Sequence, residues 1–444
     1  MLIEFKTKNF RSFREEVIFS MVASPDKSLP ENTILVPQFG GRSLLRSAVV
    51  YGPNASGKSN LISAVHFVDR FVNSSMDRKM NTPIDAAPFL LVAEPNAAPV
   101  EFEITFMDDQ GVRYQYGFHV TTKQVVREWL VAYPRGLPQT WFEREQMADG
   151  EPSWHFGRNL KGKNNQVAEL TRPDVLFLSN AARFNHRQLG RVIEWFQNSL
   201  RVIGADELNP ILFTFSAARA RKDERTQERI RRLMTVADFG ISDFEVREET
   251  YTEEDLPEEM PADLRNQLIN KKHLDVYMRH PVGKNGEVAL PIEEESNGTR
   301  RLFALSGPLV EVLENGWTLF VDELDASLHP LLVRYLVELF HHPQLNPKGA
   351  QLIFNTHDTT LMDCCLFRRD QIWFVEKDRE GCSHLYPLLE YSPRKDEALA
   401  KGYLLGRYGA IPFLSEPQWE EVQHAEASAA RPLLAPPRTE DRVL

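Results

Sequence analysis

The chain has 444 residues, of which 42% are hydrophobic and 26% are charged, a composition typical of a folded protein with two or three lobes. Its net charge of −11 excludes the overall basic character of a nucleic-acid-binding domain, although it leaves room for local basic stripes. No apolar run is long enough to span a bilayer, so the sequence predicts no membrane segment.

The first residues and the cysteines favour a reducing cytoplasm. The opening MLIEFK does not resemble a signal peptide. Cys364, Cys365 and Cys382 form neither a disulfide framework nor the spacing of a zinc site. We therefore expect a cytoplasmic protein without a membrane partner.

The first fifty residues are predicted to form strands separated by loops. Residues 2–5 and 17–19 are short apolar runs on either side of a turn at 9–13. Residues 23–43 contain several Pro and Gly breakers, and an apolar run at 48–51 predicts the next strand.

The most specific motif follows that strand. Residues 52–59 match G-x-x-x-x-G-K-[ST], and the apolar positions after them have helical spacing. In a strand–loop–helix context, backbone N–H groups and the helix N-terminus cradle phosphate. Lys58 is expected to reach the β- and γ-phosphates, and Ser59 to bind Mg²⁺. A chance glycine-rich turn is the alternative, which the eight matching positions disfavour. The predicted ATP-binding residues are Gly52, Pro53, Asn54, Ala55, Ser56, Gly57, Lys58 and Ser59.

The middle of the chain is predicted to be first β-rich and then helical. Alternating runs between 83 and 170 indicate an antiparallel sheet, and residues 175–179 look like a buried strand. A mainly helical region is predicted from about 186 to 240, followed by an acidic, solvated loop at 248–263.

A later strand ends in two acidic residues, which are the expected complement of a phosphate-binding loop. Asp322 and Glu323 follow the apolar residues 319–321, which is where a Mg²⁺ ligand and a base for the attacking water are expected. A second apolar strand at 351–355 precedes His357, which is placed to bond a γ-phosphate.

A capped helix precedes the acidic strand. Ser296 is a good N-cap, and Gly298 allows backbone to approach a ligand closely. Such a helix N-terminus faces anions. Any capped helix has these features, so only the position of this helix shortly before Asp322 makes it a candidate for anion binding.

The order of these motifs resembles that of ABC-type ATPases of the SMC and OLD (overcoming lysogenization defect) families. Within that group, residues 296–299, 322–330 and 401–412 most resemble compact AAA-type ATPases of bacterial anti-phage operons. The resemblance covers about residues 1–414. The residues that carry it are Asn9-Phe10-Arg11-Ser12-Phe13, the loop 52–59, Ser296 to Arg300, Asp322-Glu323, Ser327-Leu328-His329 and His357.

The resemblance implies an ATP site shared between subunits. One copy binds ATP and Mg²⁺. The signature segment of a second copy, residues 296–299, closes on the γ-phosphate, so the active unit is a homodimer or a larger homo-oligomer. The implied catalytic residues are Lys58, Glu323 and His357, and the implied Mg²⁺ residues are Ser59 and Asp322. The implied nucleotide-binding set also contains Arg11, Asn60, Ser296, Gly298 and Thr299.

The sequence departs from these families at several points. The signature segment lacks the usual sequence Leu-Ser-Gly-Gly-Gln. His329 stands where SMC proteins often carry Asp. No Q-loop glutamine can be placed. The span from Ser59 to Ser296 is too short for SMC-length coiled coils. The residues after His357 leave little room for the Toprim nuclease domain of OLD proteins, so no nuclease activity of its own is expected.

We therefore predict an α/β fold: an ABC-type ATPase head, meaning a P-loop NTPase with an added antiparallel β-sheet, plus a mainly helical insertion. Residues 1–180 and 271–414 are expected to form the two halves of the head. Residues 181–270 are expected to form the insertion, and residues 415–444 a disordered tail.

The predicted activity is Mg²⁺-dependent ATP hydrolysis coupled to dimer closure and opening. The predicted role is a sensor or scaffold in anti-phage defence or abortive infection that controls a separate effector, a nuclease or a toxin. A nucleic acid or a phage protein is the candidate trigger. A DNA-repair ATPase of the RecF kind and a transporter ATPase subunit are the alternatives, and the long insertion and the unusual signature disfavour transport.

Two weaker candidates lie in the helical region. Arg221, Arg225, Arg229 and Arg232 form one stripe of a predicted helix, which is either a solvated face or a contact for nucleic-acid phosphates. His186, beside Asn185, is a minor candidate for the surroundings of the nucleotide.

Overall fold

Two large β-sheets organise the chain. The computed structural model describes residues 1–80, 82–92, 98–147, 150–204, 210–237, 240–253, 260–284, 286–394 and 397–412. Residues 1–411 form one unit, and the second unit, Pro412–Leu444, is described only at Pro412. The predicted disordered tail at 415–444 therefore lies outside the described residues. None of the helices in these ranges is both long enough and apolar enough to cross a lipid bilayer.

Eighteen strands are described. They are β1 (Leu2–Lys8), β2 (Val17–Ser20), β3 (Thr33–Val36), β4 (Arg42–Leu45), β5 (Ser47–Tyr51), β6 (Val100–Met107), β7 (Arg113–Val120), β8 (Val125–Tyr133), β9 (Gln139–Gln146), β10 (Pro152–Phe156), β11 (Leu200–Ile203), β12 (Asp243–Thr250), β13 (Lys272–Val282), β14 (Gly286–Pro291), β15 (Thr318–Val321), β16 (Gln351–Asn355), β17 (Ile372–Lys377) and β18 (Ser383–Pro387).

Ten α-helices are described beside them. They are α1 (Lys58–Ser74), α2 (Asn164–Glu169), α3 (Phe177–Arg183), α4 (Arg187–Glu194), α5 (Pro210–Lys222), α6 (Glu224–Val236), α7 (Ala262–Leu268), α8 (Asn297–Asn315), α9 (Pro330–His341) and α10 (Leu399–Leu404).

The first sheet is antiparallel, with the strand order β10-β9-β8-β7-β6-β1-β2. Residues along β6 alternate between buried and half-buried, as expected for a sheet with one face on a core. Phe102 of β6 stacks on Phe67 of α1, with ring centroids 5.1 Å apart. The predicted antiparallel sheet is thus present, and α1 packs on its buried face.

The second sheet is mainly parallel, with the order β11-β15-β16-β5-β17-β18, in which only β18 runs antiparallel to its neighbour. Every residue of β5, β15 and β16 is buried, because both faces are covered. Ala48 and Val50 face the core that contains α1, and Val49 and Tyr51 face the core that contains α8 and α9. Helix α1 therefore lies between the two large sheets.

The region between β11 and α8 combines helices with a small sheet. Helices α4 to α7 take up much of the described part of 181–270, and β12 joins β13 and β14 in a three-stranded antiparallel sheet. Helix α5 crosses α8 closely at Gly307, where any Cβ would lie 2.7 Å from the Cα of Ser216. The prediction of an α/β ATPase head with an added antiparallel sheet and a mainly helical insertion is confirmed.

Two local predictions are wrong. Residues 175–179 do not form a strand, because α3 begins at Phe177. The buried carboxylate of Glu128 accepts hydrogen bonds from the N–H groups of Phe177 (2.7 Å) and Leu178 (3.0 Å), which satisfies the helix start. The acidic run is also not all loop, since Glu248 lies in β12 and pairs with Arg221 at 2.6 Å.

Candidate nucleotide-binding site

The glycine-rich loop connects the end of β5 to the start of α1. Gly57 has φ +113°, a conformation that side chains rarely adopt. A Cβ at this position would also lie 2.5 Å from the hydroxyl of Ser383 and 2.8 Å from that of Ser12. Glycine is therefore required at this point for both backbone conformation and space. At the loop's tip, Asn54 and Ala55 are exposed, and Ala55 has φ +60°.

Lys58 folds back over this loop. Its ammonium donates hydrogen bonds to the carbonyls of Gly52 (2.8 Å) and Pro53 (3.1 Å). Burial lowers the pKa of Lys58 to about 8, while the nearby carboxylates of Glu323 and Asp322 favour the charged form. A cation is thus held beside the row of loop N–H groups.

Ser59 meets the acidic strand directly. Its hydroxyl donates a 3.0 Å hydrogen bond to Oδ1 of Asp322, which follows β15 and is buried. The carboxyl ends of parallel strands meet at one edge of a sheet, so β5 and β15 bring these residues together although β16 lies between them. The two predicted Mg²⁺ residues are therefore adjacent.

Asn355, at the end of β16, connects both acidic residues. Its amide group donates a hydrogen bond to Oδ1 of Asp322, and its side-chain oxygen accepts one from the backbone N–H of Glu323 at 2.5 Å. The side chain is fully buried. Sequence reasoning missed this residue, although an amide ending an apolar strand beside the acidic strand was a usable signal.

Glu323 marks a sharp turn of the chain. Its backbone has φ +52°, in the left-handed region, and its side chain is half-buried. The carbonyl of Glu323 accepts a hydrogen bond from Arg301 of α8. Hydrogen bonds on both sides of this residue therefore stabilise an otherwise unfavourable backbone conformation.

His357 lies two residues beyond β16 and is exposed. Its backbone N–H donates to Oδ2 of Asp325 at 3.3 Å. Partial burial and the positive charge of Lys58 lower the pKa of His357, against the opposing carboxylates of Asp325 and Glu323. The imidazole is therefore neutral near pH 7 and lies close enough to Lys58 for their charges to interact.

The signature-like turn caps α8. Ser296 accepts a 3.1 Å hydrogen bond from the N–H of Thr299, so it is the N-cap that the sequence predicts. Ser296 is exposed, Gly298 is half-buried and Thr299 is buried. The start of the turn is thus accessible on a single copy of the chain.

The N-terminal turn packs against the first turn of α1. Arg11 contacts Asn60 (3.4 Å) and Ser63 (3.3 Å), and Asn60 donates to the Ser12 hydroxyl at 2.7 Å. These contacts place Arg11 and Asn60 beside the loop.

Ser383 of β18 joins the N-terminal turn to the loop. Its hydroxyl donates to the backbone carbonyl of Ser56 (2.5 Å) and lies 2.7 Å from the hydroxyl of Ser12, within hydrogen-bonding distance. The sequence carried no signal for it, because β18 lies far from both segments along the chain.

The weaker candidates are not part of this arrangement. Arg221 pairs with Glu248 (2.6 Å), Arg229 with Glu314 (2.6 Å) and Arg232 with Glu228 (2.8 Å). The prediction that the four arginines share one helix is wrong, because Arg221 lies in α5 and the other three lie in α6. The three ion pairs favour a neutralised structural face over a phosphate-binding stripe. His186 is buried as the N-cap of α4 and bonds Asn164 at 3.0 Å, which gives it a structural role.

A family model matches residues 47–363, more than half of the chain. Its description reads "AAA domain, putative AbiEii toxin, Type IV TA system". The chain belongs to this AAA domain family. The matched segment of the AAA domain begins at the first residue of β5 and extends past His357, so it contains both the loop and the acidic strand. Family membership supports an ATP-binding, ATPase-like character for the chain.

No curated protein matches the sequence of this AAA domain. Among solved structures, the SMC head domain from Thermotoga maritima is similar at 16% identity and a TM-score of 0.39, covering 87% of this chain and 98% of that one. A Pyrococcus furiosus Smc head domain, bound to the C-terminal domain of ScpA, is 16% identical with a TM-score of 0.37, covering 88% and 97%. A Pyrococcus yayanosii Smc head domain is 13% identical with a TM-score of 0.39, covering 88% and 99%. The likeness is distant at these values.

Proposed function

We propose that this AAA domain hydrolyses ATP with Mg²⁺ and that a second copy of the chain completes each site. The observation that carries the proposal is the 3.0 Å contact between Ser59 and Asp322, held by Asn355. A hydroxyl and a carboxylate are hard oxygen ligands of the kind that Mg²⁺ prefers beside triphosphate. In the proposal, Ser59 and Asp322 would hold the ion, which would supply positive charge next to the phosphates.

The residues of the loop bind the phosphates. Backbone N–H groups of residues 54–59 and the N-terminus of α1 face the β-phosphate. Lys58 leaves the carbonyls of Gly52 and Pro53 for the β- and γ-phosphate oxygens. Because that exchange replaces neutral acceptors by anionic ones, it strengthens the hydrogen bonds of the ammonium.

The acidic residue after Asp322 activates water. In the proposed step, a water oxygen attacks the γ-phosphorus, the bond to the β–γ bridging oxygen breaks, and Glu323 accepts the proton of the water. ADP and inorganic phosphate are the products. The neutral imidazole of His357 donates a hydrogen bond to the γ-phosphate, in keeping with its lowered pKa beside Lys58.

A second copy supplies the signature. Ser296 is exposed, and its hydroxyl lies at the N-terminus of a 19-residue helix, α8. Such an N-terminus favours anions, and residues 296–299 offer a hydroxyl and backbone N–H groups for a γ-phosphate of the other copy. In the proposal, ATP holds two copies together and hydrolysis lets them separate.

The test is a comparison of wild type with Glu323→Gln. Wild type should release phosphate from ATP only with Mg²⁺, and Glu323→Gln should bind ATP but hydrolyse it at least about 100-fold more slowly, as for loss of a general base. In gel filtration with ATP and Mg²⁺, Glu323→Gln should accumulate a dimer or larger assembly. The control is Glu145→Gln, an exposed glutamate of β9 outside the site. Equal phosphate release by Glu323→Gln and wild type would contradict the catalytic assignment.

The wider role that we propose is a cytoplasmic sensor or scaffold that holds a separate effector, a nuclease or a toxin, in anti-phage defence. The resemblance in motif order supports this role, as does a family description that names a toxin–antitoxin system. The test is a pull-down from the native host with Glu323→Gln plus ATP, compared with Lys58→Ala. A nuclease or toxin retained only in the ATP-bound form supports the role. Retention of DNA in place of a protein would support the RecF-like alternative.

A further inference from the structure

Arg301 is a buried arginine at the meeting point of the signature helix and the acidic strand. It lies two residues beyond Thr299 in α8, and only 7% of its surface is exposed. One amino group of its guanidinium donates a hydrogen bond to the backbone carbonyl of Glu323. The side chain thus connects the segment proposed to sense a partner's phosphate with the residue proposed to activate water.

The peptide groups on both sides of Glu323 are each fixed by a hydrogen bond with a neighbouring side chain. Asn355 accepts from its N–H, and Arg301 donates to its carbonyl. The left-handed backbone of Glu323, at φ +52°, is unfavourable for a residue with a side chain. Loss of either bond would therefore allow the Glu323 carboxylate to move away from its position.

Arg301 makes fewer hydrogen bonds to described residues than Arg368, another buried arginine. Arg368 is 2% exposed, and its three guanidinium nitrogens all bond to Asp370 or to nearby backbone and side-chain oxygens. Nε of Arg301 and Oδ1 of Asp325 are both buried, and neither has a hydrogen-bond partner among the residues that the structure describes. An unpaired Nε also occurs in Arg144, whose amino groups bond backbone carbonyls, so the bond from Arg301 to the Glu323 carbonyl is the observation that distinguishes Arg301.

The charges around Arg301 all belong to the site. Asp325, Glu323 and Asp322 favour its charged form, although burial lowers the pKa of Arg301 to about 10. Asp325 also accepts from the backbone N–H of His357. Arg301 is therefore in electrostatic contact with the residues on both sides of the proposed γ-phosphate position.

We propose that Arg301 is a positioning residue that couples the signature turn to the Glu323 of its own chain. This inference rests on the proposed ATPase function. Engagement of residues 296–299 by a partner's γ-phosphate fixes the first turn of α8 and, through Arg301, the carbonyl of Glu323. ATP binding does not require Arg301, because its hydrogen bond goes to the peptide and not to the loop. Hydrolysis requires it, because the carboxylate must be aligned on the attacking water.

The experiment compares Arg301→Gln and Arg301→Lys with Arg368→Lys in the full chain. For each variant, the dissociation constant for ATP, kcat, ATP-dependent self-association and the melting temperature are measured. We expect Arg301→Gln to lower kcat at least about tenfold while the ATP dissociation constant stays within about twofold. We expect Arg301→Lys to lose less, since its ammonium still donates one hydrogen bond. Arg368→Lys should lower only the melting temperature.

A kcat of Arg301→Gln within about twofold of wild type would overturn the inference. So would a loss of kcat that is matched by an equal loss of ATP affinity. If Arg301→Gln does not fold, Arg301→Met decides, because it keeps an unbranched side chain without a donor, and unchanged kcat in that variant contradicts the inference. Failure of the ATPase proposal looks different, because wild type itself would then release no phosphate or would be insensitive to Glu323→Gln.

Discussion

Ser59 and Asp322 are 263 positions apart in the chain, yet the hydroxyl of one donates a 3.0 Å hydrogen bond to the carboxylate of the other. The contact exists because β5, β16 and β15 are neighbouring parallel strands whose carboxyl ends share an edge. Asn355 of the central strand bonds the same carboxylate. Two distant segments therefore build one oxygen-rich site beside the glycine-rich loop.

Replacement of Lys58 by Ala should abolish tight ATP binding. The change removes the ammonium that donates to the Gly52 and Pro53 carbonyls and that is proposed to transfer to phosphate. A hydrogen bond to a charged group contributes about 1.5–3 kcal/mol, so the dissociation constant should rise by about 10- to 100-fold or more. Equilibrium dialysis with labelled ATP measures it, with the exposed Lys123→Ala as control. Unchanged affinity in Lys58→Ala would remove the loop from the site.

Replacement of Asn355 by Asp should impair Mg²⁺-dependent activity more than it destabilises the fold. The new carboxylate would face Oδ1 of Asp322, and like charges at this distance repel. We expect kcat to fall about tenfold or more and half-maximal activity to need more Mg²⁺. The matched control is Asn73→Asp, an exposed asparagine that bonds Asp69 at 2.9 Å. If both variants titrate with Mg²⁺ as wild type does, Asn355 does not orient the metal ligand.

ATP binding should weaken as the pH rises above 8. Burial lowers the pKa of Lys58 to about 8, so the ammonium loses its proton in the free protein between about pH 7 and 9. Bound triphosphate favours the charged form, and binding at pH 9 should therefore take up about one proton. Calorimetry in buffers of different ionisation enthalpy measures this uptake. Lys58→Arg should show none, and equal uptake by both proteins would assign the proton elsewhere.

Residues 401–412, which contribute to the resemblance, pack beside the loop. The ring of Tyr403 stacks on Phe374 with centroids 5.4 Å apart and lies 5.9 Å from Tyr51, which precedes Gly52. Its hydroxyl donates to the carbonyl of Ala410 at 2.7 Å. Tyr403→Ala should lower the free energy of unfolding by about 3–5 kcal/mol and Tyr403→Phe by about 1 kcal/mol. Denaturant titration compares them, and equal losses would show that the ring contacts contribute little.

Much of the head was predictable because its signals are local. The alternation along β6 and the apolar runs of β5 and β15 follow from which faces are buried. The loop and the acidic pair carry residue types that phosphate and Mg²⁺ chemistry require. Their joint presence predicted that Ser59 and Asp322 would meet.

The parts that could not be predicted depend on distant contacts. Residues 175–179 read as a strand because a short buried apolar run fits strand or helix equally well. The N-terminus of α3 is set by the carboxylate of Glu128, about 50 positions earlier. Arg301 and Ser383 are likewise defined only by segments far away in sequence, Glu323 and Ser12 respectively.

The most direct test of the shared site is a mixing experiment with two inactive variants. Lys58→Ala removes ATP binding, and Ser296→Asp keeps an N-cap but places a negative charge where a partner's phosphate is proposed to bind. Ser296→Asn, which caps without charge, should remain close to wild type.

In a mixed dimer of the two inactive variants, one site combines both defects and the other combines the intact loop of one copy with the intact signature of the other. Random mixing of equal amounts makes half of the dimers mixed, so about a quarter of the wild-type rate of phosphate release should return. Restoration to this level supports a site shared between copies. A mixture no more active than the separate variants, or full activity of Ser296→Asp alone, would contradict it.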